Sequence, residues 1–253
     1  MTILALVVLG LVQGLCEFLP VSSSGHLVLL SHLFGIEDSL FVSIILHVAT
    51  LLAVVVVMRK EIFYLIKHPF SKQTIALALA TISTCIVAIL LMPLITSAFE
   101  GASLPIFFLL SAIILFFVGR KRKKTNGEIT YKRAMIIGLA QGLAIFPGLS
   151  RSGTTISAGL ATGADRQESS KFSFLISLPI ILGSLVMEIF EITLKGGVIN
   201  VNVACLILAF LIAFIVGILT IKFMLKLTNN VTFKWFSIYL IVLAIISAVV
   251  FWF

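Results

Sequence analysis

The stretch from Gly10 to Gly25 recurs at Gly138 to Gly153, 128 residues later, with nine of sixteen positions identical. The shared pairs are Gly10/Gly138, Leu11/Leu139, Gln13/Gln141, Gly14/Gly142, Leu15/Leu143, Phe18/Phe146, Ser22/Ser150, Ser24/Ser152 and Gly25/Gly153. Each copy lies in an apolar segment, 1–34 or 134–164, that Pro, Gly and Ser interrupt halfway. Neither half of either segment is long enough to cross a ~30 Å hydrocarbon layer. Broken helices at that depth are tolerated only where protein buries them or where they line a wet cavity. Both segments are therefore expected to be re-entrant hairpins whose tips meet near the midplane.

Unbroken apolar runs fill most of the remainder, and full spans are expected at 41–58, 75–98, 104–118, 172–194, 201–221 and 235–253. Composition now decides the solvent. The 253 residues are 60% hydrophobic and 11% charged, with a mean hydropathy of +1.24, against about 25% charged in soluble domains. Such a chain lacks the polar surface to cover itself in water. The expected fold is an all-α integral membrane protein of six transmembrane helices plus two re-entrant hairpins. Each repeat holds one hairpin and three spans, 1–119 and 134–253, joined by a basic loop at 120–133 within one membrane domain. Three spans is an odd number, so the second repeat must be inverted. Inverted repeats with broken helices at mid-membrane are a transporter design, which makes a secondary transporter or lipid flippase the rival to an enzyme.

Charge placement orients this topology. If the first hairpin enters from outside, sixteen of the eighteen Lys and Arg residues fall in inside loops, among them the run Arg120–Lys124. Lys195 falls outside and Arg151 lies within the second hairpin, while Glu37, Asp38 and Glu100 are in outside loops. The bias matches the positive-inside rule and puts both termini outside. The net charge of +8 is thereby explained without nucleic acid, and Arg120–Lys124 is expected to touch anionic lipid. Cys16, Cys85 and Cys205 show no metal spacing and read as small apolar residues. The first residues lack a basic n-region, so no cleaved signal peptide is expected.

The chemistry would sit in the hairpin turns. In each, a Ser-rich turn opens a new half-helix whose first N–H groups lack partners, a site that favours anions and phosphate above all. The repeats differ at the reactive positions: Glu17 faces Ile145, Ser23 faces Arg151, and His26 faces Thr154. Arg151 offers a planar fork for phosphate oxygens or, on a plainer reading, a structural partner for Glu17. Glu17 would hold a divalent cation or act as a base. Ser23 is a candidate nucleophile, and His26 lies three residues on, within reach to activate it or protonate a leaving group. Whether Ser23, His26 or a water attacks stays open. Ser23 is favoured because a half-helix N-terminus would stabilise its developing charge. His47 would line the cavity or pack as a capped histidine. His32 and His68 need no role, and Glu188 and Glu191 read as interfacial anchors.

These residues resemble the undecaprenyl-diphosphate phosphatase family known as BacA or UppP. An (E/Q)xxxE element is met by Gln13 and Glu17, PxSSSGH by Pro20 to His26, and PGxSRSGxT by Pro147 to Thr155. The resemblance implies hydrolysis of undecaprenyl diphosphate to the monophosphate, recycling the carrier for cell-wall synthesis in the plasma membrane. It also implies a divalent cation (Mg²⁺ or Ca²⁺) at Glu17 and Gln13, a site opening to the outer face, and bacitracin resistance through competition for the substrate. Homodimers are implied too. Carried onto this chain, Ser23 attacks the terminal phosphate with Glu17 or His26 assisting, and Arg151 neutralises charge. Ser22, Ser24, Gly25, Ser150, Ser152, Gly153 and Thr155 then bind phosphate. With Gln13 neutral, Glu17 is the sole hairpin carboxylate, so the diphosphate is expected to supply most metal ligands. A non-catalytic binder that sequesters the diphosphate is a second rival.

Overall fold

The computed structural model describes residues 3–36, 39–98, 101–119, 127–195, 202–227 and 233–253. The basic run at 120–124 and the acidic Glu37, Asp38 and Glu100 lie outside the described residues, as do the side chains of Glu188 and Glu191. In lipid, every backbone N–H and C=O must find a partner within the chain, and helices supply one for each. The described residues are accordingly helical apart from short connections. In order they are α1 (Ile3–Cys16), α2 (Ser23–Leu33), α3 (Ser39–Val57), α4 (Arg59–Lys67), α5 (Lys72–Ala98) and α6 (Leu104–Gly119), followed by α7 (Tyr131–Leu143), α8 (Arg151–Ala161), α9 (Arg166–Lys195), α10 (Val203–Leu227) and α11 (Lys234–Trp252). The sole pairing of strand type among them is an isolated bridge between Gly127 and Ala164.

Four stretches are long and apolar enough to cross a membrane: Lys72–Leu94, Arg166–Met187, Val203–Lys226 and Lys234–Trp252. A fifth arises if Phe41–Val57 and Arg59–Lys67 count together, although the chain bends by 76° between them. The segments Ile3–Cys16 and Leu104–Val118 are apolar but shorter. The molecule is thus a multi-pass helical membrane protein. Its outer surface carries apolar side chains such as Ile89, Leu90, Val186 and Leu219, all more than half exposed, which suits a hydrocarbon solvent and no other.

The two expected hairpins appear as helix pairs broken in the middle. In the first, α1 stops at Cys16 and α2 begins at Ser23; in the second, α7 stops at Leu143 and α8 begins at Arg151. Helices of 11 to 14 residues span roughly 17–21 Å at 1.5 Å per residue, short of the layer. Each opening helix packs on a span remote in sequence, α1 on α10 and α7 on α5, and glycine sets both crossings. A Cβ on Gly10 would come within 2.5 Å of the Ala209 carbonyl oxygen, and one on Gly14 within 2.8 Å of Ala213 O. A Cβ on Gly138 would strike the Ala80 carbonyl, and one on Gly142 would meet Val87 Cβ at 2.5 Å. Glycine pairs four apart allow this backbone-to-backbone approach, on which helix packing in lipid relies. Between these crossings lies the main core, where Phe18, Phe108, Phe174 and Leu240 are fully buried.

Candidate active site

Both hairpin turns end in a serine that caps the next helix. Ser22 Oγ accepts from Gly25 N at 3.4 Å, and Ser150 Oγ accepts from Gly153 N at 3.1 Å. Each satisfies one of the otherwise unpaired N–H groups of a helix start. The turns are also stitched to each other: Gly148 N donates to Ser22 Oγ at 3.1 Å, and Ser152 Oγ donates to Leu19 O at 2.9 Å. Ser111 of α6 supports the second turn, accepting from Ser150 N at 2.8 Å and donating to Gly148 O at 3.1 Å. The backbones differ sharply. Ser150 has φ −67°, whereas Ser22 has φ 66°, a conformation that costs a non-glycine residue about 1–3 kcal/mol.

A cavity opens where the tips meet, lined by Cys16, Glu17, Ser22–Ser24, Ala144, Leu149 and Ser150–Ser152. Its floor is charged. Glu17, with 4% of its side chain exposed, forms an ion pair from Oε1 to Arg151 Nη2. Its other oxygen, Oε2, accepts from the Ser23 hydroxyl at 2.5 Å and from Gln13 Nε2 at 3.1 Å. Gln13 Nε2 also reaches Thr50 Oγ1 at 3.3 Å, and His47 Nε2 stands 3.9 Å from Glu17 Oε2. Removing one partner of such a pair strands the other charge, which costs about 3–5 kcal/mol. The second guanidinium nitrogen of Arg151, Nη1, is buried without a partner among the described residues. A buried donor left in that state is costly, and an anion's oxygen is the ligand it lacks.

Of the residues expected to act, Glu17, Ser22, Ser23, Ser24, Ser150, Arg151 and Ser152 come together around the cavity. Gln13 joins them through Glu17. Gly25 and Gly153 stand behind the wall as spacers: a Cβ on Gly25 would come within 2.8 Å of Gly148 N, and one on Gly153 within 3.2 Å of Pro20 Cβ. Thr155 is not a donor to the cavity. Its hydroxyl donates back to Arg151 O at 2.8 Å and lies 2.6 Å from Ser173 Oγ, as helical threonines without a better partner do. His26 is not placed to activate Ser23 either, because Nδ1 lies 2.7 Å from Ser22 O and Nε2 lies 2.7 Å from the Tyr239 hydroxyl. Ser111, Thr50 and Tyr239 were not singled out from the sequence, since each sits in an ordinary apolar span. His47 stands beside Glu17 with Nδ1 2.8 Å from the Ser43 carbonyl oxygen, and it is not among the residues that line the cavity.

A divalent cation would find oxygen donors here on Glu17 and Gln13. Gln13 Oε1 is buried with no partner among the described residues, on the side chain that already touches Glu17. Hard cations take oxygen ligands, so the donor set fits in part. No group of three or more His, Cys, Asp and Glu side chains placed to hold a metal occurs among the described residues.

Residues 6–246 match the family described as bacitracin resistance protein BacA. Similar proteins include an undecaprenyl-diphosphatase of Thermosipho africanus, 39% identical over 95% of this chain and 97% of the relative. Another, from Treponema denticola, is 38% identical over 100% of this chain and 98% of its own. A third, from Carboxydothermus hydrogenoformans, is 36% identical over 94% and 93%.

Proposed function

The chain belongs to the BacA family, and from that membership we propose that its buried site removes the terminal phosphate of undecaprenyl diphosphate, giving undecaprenyl phosphate and inorganic phosphate. It is an undecaprenyl-diphosphatase of the membrane, and the reaction returns the lipid carrier to cell-wall synthesis. The observation that supports this most is the buried Glu17 carboxylate held between Arg151 and the Ser23 hydroxyl. A carboxylate accepting from a serine at the start of a helix is the arrangement for an activated nucleophile.

The terminal phosphoryl group docks on the first turns of α2 and α8, and one of its oxygens takes the free Nη1 arm of Arg151. Ser23 Oγ attacks phosphorus as its proton passes to Glu17 Oε2. The anhydride oxygen leaves as undecaprenyl phosphate, and the bond from Ser23 to phosphorus replaces the one lost. Water then attacks that phosphoserine, with Glu17 handling the proton, and inorganic phosphate departs. Arg151 and the helix-start amides stabilise the charge that builds on the phosphoryl oxygens, the largest contribution open to a site of this kind. Glu17 and Gln13 Oε1 would hold the divalent cation, with diphosphate and water completing its shell; bound there it would withdraw charge from the phosphate. The paired hairpins also support the finer architecture of six spans and two re-entrant pairs in inverted repeats, with the termini and site mouth on the outer face of the plasma membrane. Bacitracin would compete by binding the same diphosphate, and a homodimer is the proposed assembly.

The test is phosphate release from undecaprenyl diphosphate by detergent-purified protein, with magnesium or calcium and then with chelator. Many turnovers by the wild type, lost in Ser23→Ala and Arg151→Ala, are expected. A well-folded protein that releases no phosphate under any metal overturns the assignment in favour of a transporter or a binder.

A further inference from the structure

The imidazole of His26 is gripped at both nitrogens, and one grip comes from the far end of the chain. Nδ1 lies 2.7 Å from the Ser22 carbonyl oxygen. A carbonyl only accepts, so Nδ1 carries the ring proton; in the neutral ring Nε2 is then a lone pair, and the Tyr239 hydroxyl 2.7 Å away donates to it. Phe108 closes another side edge-on at 5.9 Å, and the Tyr239 ring runs alongside at 5.7 Å, tilted by only 12°. The carbonyl under this clamp belongs to Ser22, the one non-glycine residue with positive φ among those described. Ser22 caps α2, accepts from Gly148 N of the other hairpin and immediately precedes Ser23.

We infer that Tyr239 is a positioning residue: it fixes the His26 ring, which clamps the Ser22 carbonyl in its strained conformation and so aims the Ser23 hydroxyl at Glu17. In this relay His26 holds the backbone and does not carry the reaction's proton. The inference rests on the reading of Ser23 and Glu17 given above.

Steady-state phosphate release tests it with Tyr239→Phe, His26→Asn, the double variant, His26→Ala and Ser23→Ala, each compared at equal folded fraction. Asparagine puts an amide N–H where Nδ1 sits but does not exchange a proton near neutrality. Tyr239→Phe should lower kcat about tenfold with KM nearly unchanged, the scale of one neutral hydrogen bond. His26→Asn should lose a similar factor, the double variant no more than either single, because both break the same link. His26→Ala, with neither grip, should fall well below His26→Asn. The relay is overturned if His26→Asn is as inactive as Ser23→Ala, if Tyr239→Phe turns over at the wild-type rate, or if the two losses multiply. Should Tyr239→Phe not fold, the difference between His26→Asn and His26→Ala decides the matter alone. Wild-type turnover by Ser23→Ala would instead refute the nucleophile assignment, a failure distinct from any pattern at Tyr239 and His26.

Discussion

The two hairpin tips are the same piece of architecture put to different use. Their second helices, Ser23–Leu33 and Arg151–Ala161, start and stop 128 residues apart at both ends, and each is capped by the equivalent serine. Yet the first tip carries the buried carboxylate and the serine hydroxyl bonded to it, after a serine of positive φ, while the second carries the guanidinium on an ordinary backbone. Scaffold and chemistry are therefore separable. Small residues and caps build two equivalent helix starts, and the differences at Glu17/Ile145 and Ser23/Arg151 place an acid, a hydroxyl and a cation in one cavity.

The comparison breaks most readily at the charged pair. Glu17→Gln is expected to cut turnover by about 10³-fold or more and Arg151→Ala by at least ~10²-fold, each with a stability loss of about 3–5 kcal/mol from the stranded partner. Replacing both by glutamine should restore much of the melting temperature and none of the activity. If the double variant turned over, the pair would be scaffold and the asymmetry would have no chemical meaning. The scaffold half of the comparison is sharpened by glycine. Gly10→Ala and Gly138→Ala should destabilise to a similar degree, about 1–3 kcal/mol each, because both crossings meet a carbonyl; a large difference in detergent melting would show that the two crossings are unequal. Next come the caps. Ser150→Ala should lose about 1 kcal/mol, and Ser22→Ala more, since it also leaves Gly148 N without its acceptor.

The smallest effect lies outside the hairpins. Lys72 Nζ and Glu128 Oε2, 2.9 Å apart, tie the start of α5 to the segment before α7. The hydrogen bond and charge of Lys72 hold the Glu128 carboxyl below its ordinary range. The support this gives is present at neutral pH and is lost as pH falls through the depressed Glu128 value. Both side chains are more than half exposed, so Lys72→Ala should shift the melting temperature barely at all at pH 7, and not at all in acid or in ~1 M salt.

The breaks between α1 and α2 and between α7 and α8 were legible in the sequence because Pro20 and Pro147 interrupt apolar segments beside serines. The Glu17–Arg151 pairing was foreseeable from the cost of burying either charge alone. Tyr239 was not, since it sits in IYLIVL, where an apolar run does not show that the hydroxyl of an exposed tyrosine reaches His26. The partners of Thr155 were hidden for the opposite reason: its motif position says polar, but a hydroxyl inside a helix finds its own backbone first. His26 likewise stands near Ser23 in sequence, and nothing in the sequence shows that its ring nitrogens face the Ser22 carbonyl and the Tyr239 hydroxyl. The 76° bend after Val57 was also hidden, because charges at Arg59 and Lys60 mark the end of a span without saying that helix continues sideways.

The crossing of α1 on α10 has a consequence for biosynthesis. Gly10 and Gly14 rest on a helix that begins at Val203, so at about 5–20 residues per second its partner emerges roughly 10–40 s after α1 does. Through that interval the glycine-notched α1 has only α2 and α3 to pack on, without the helix its notch fits. A chain that ends before α10 therefore lacks the surface on which Gly10 and Gly14 pack, which only the last fifth of the protein supplies.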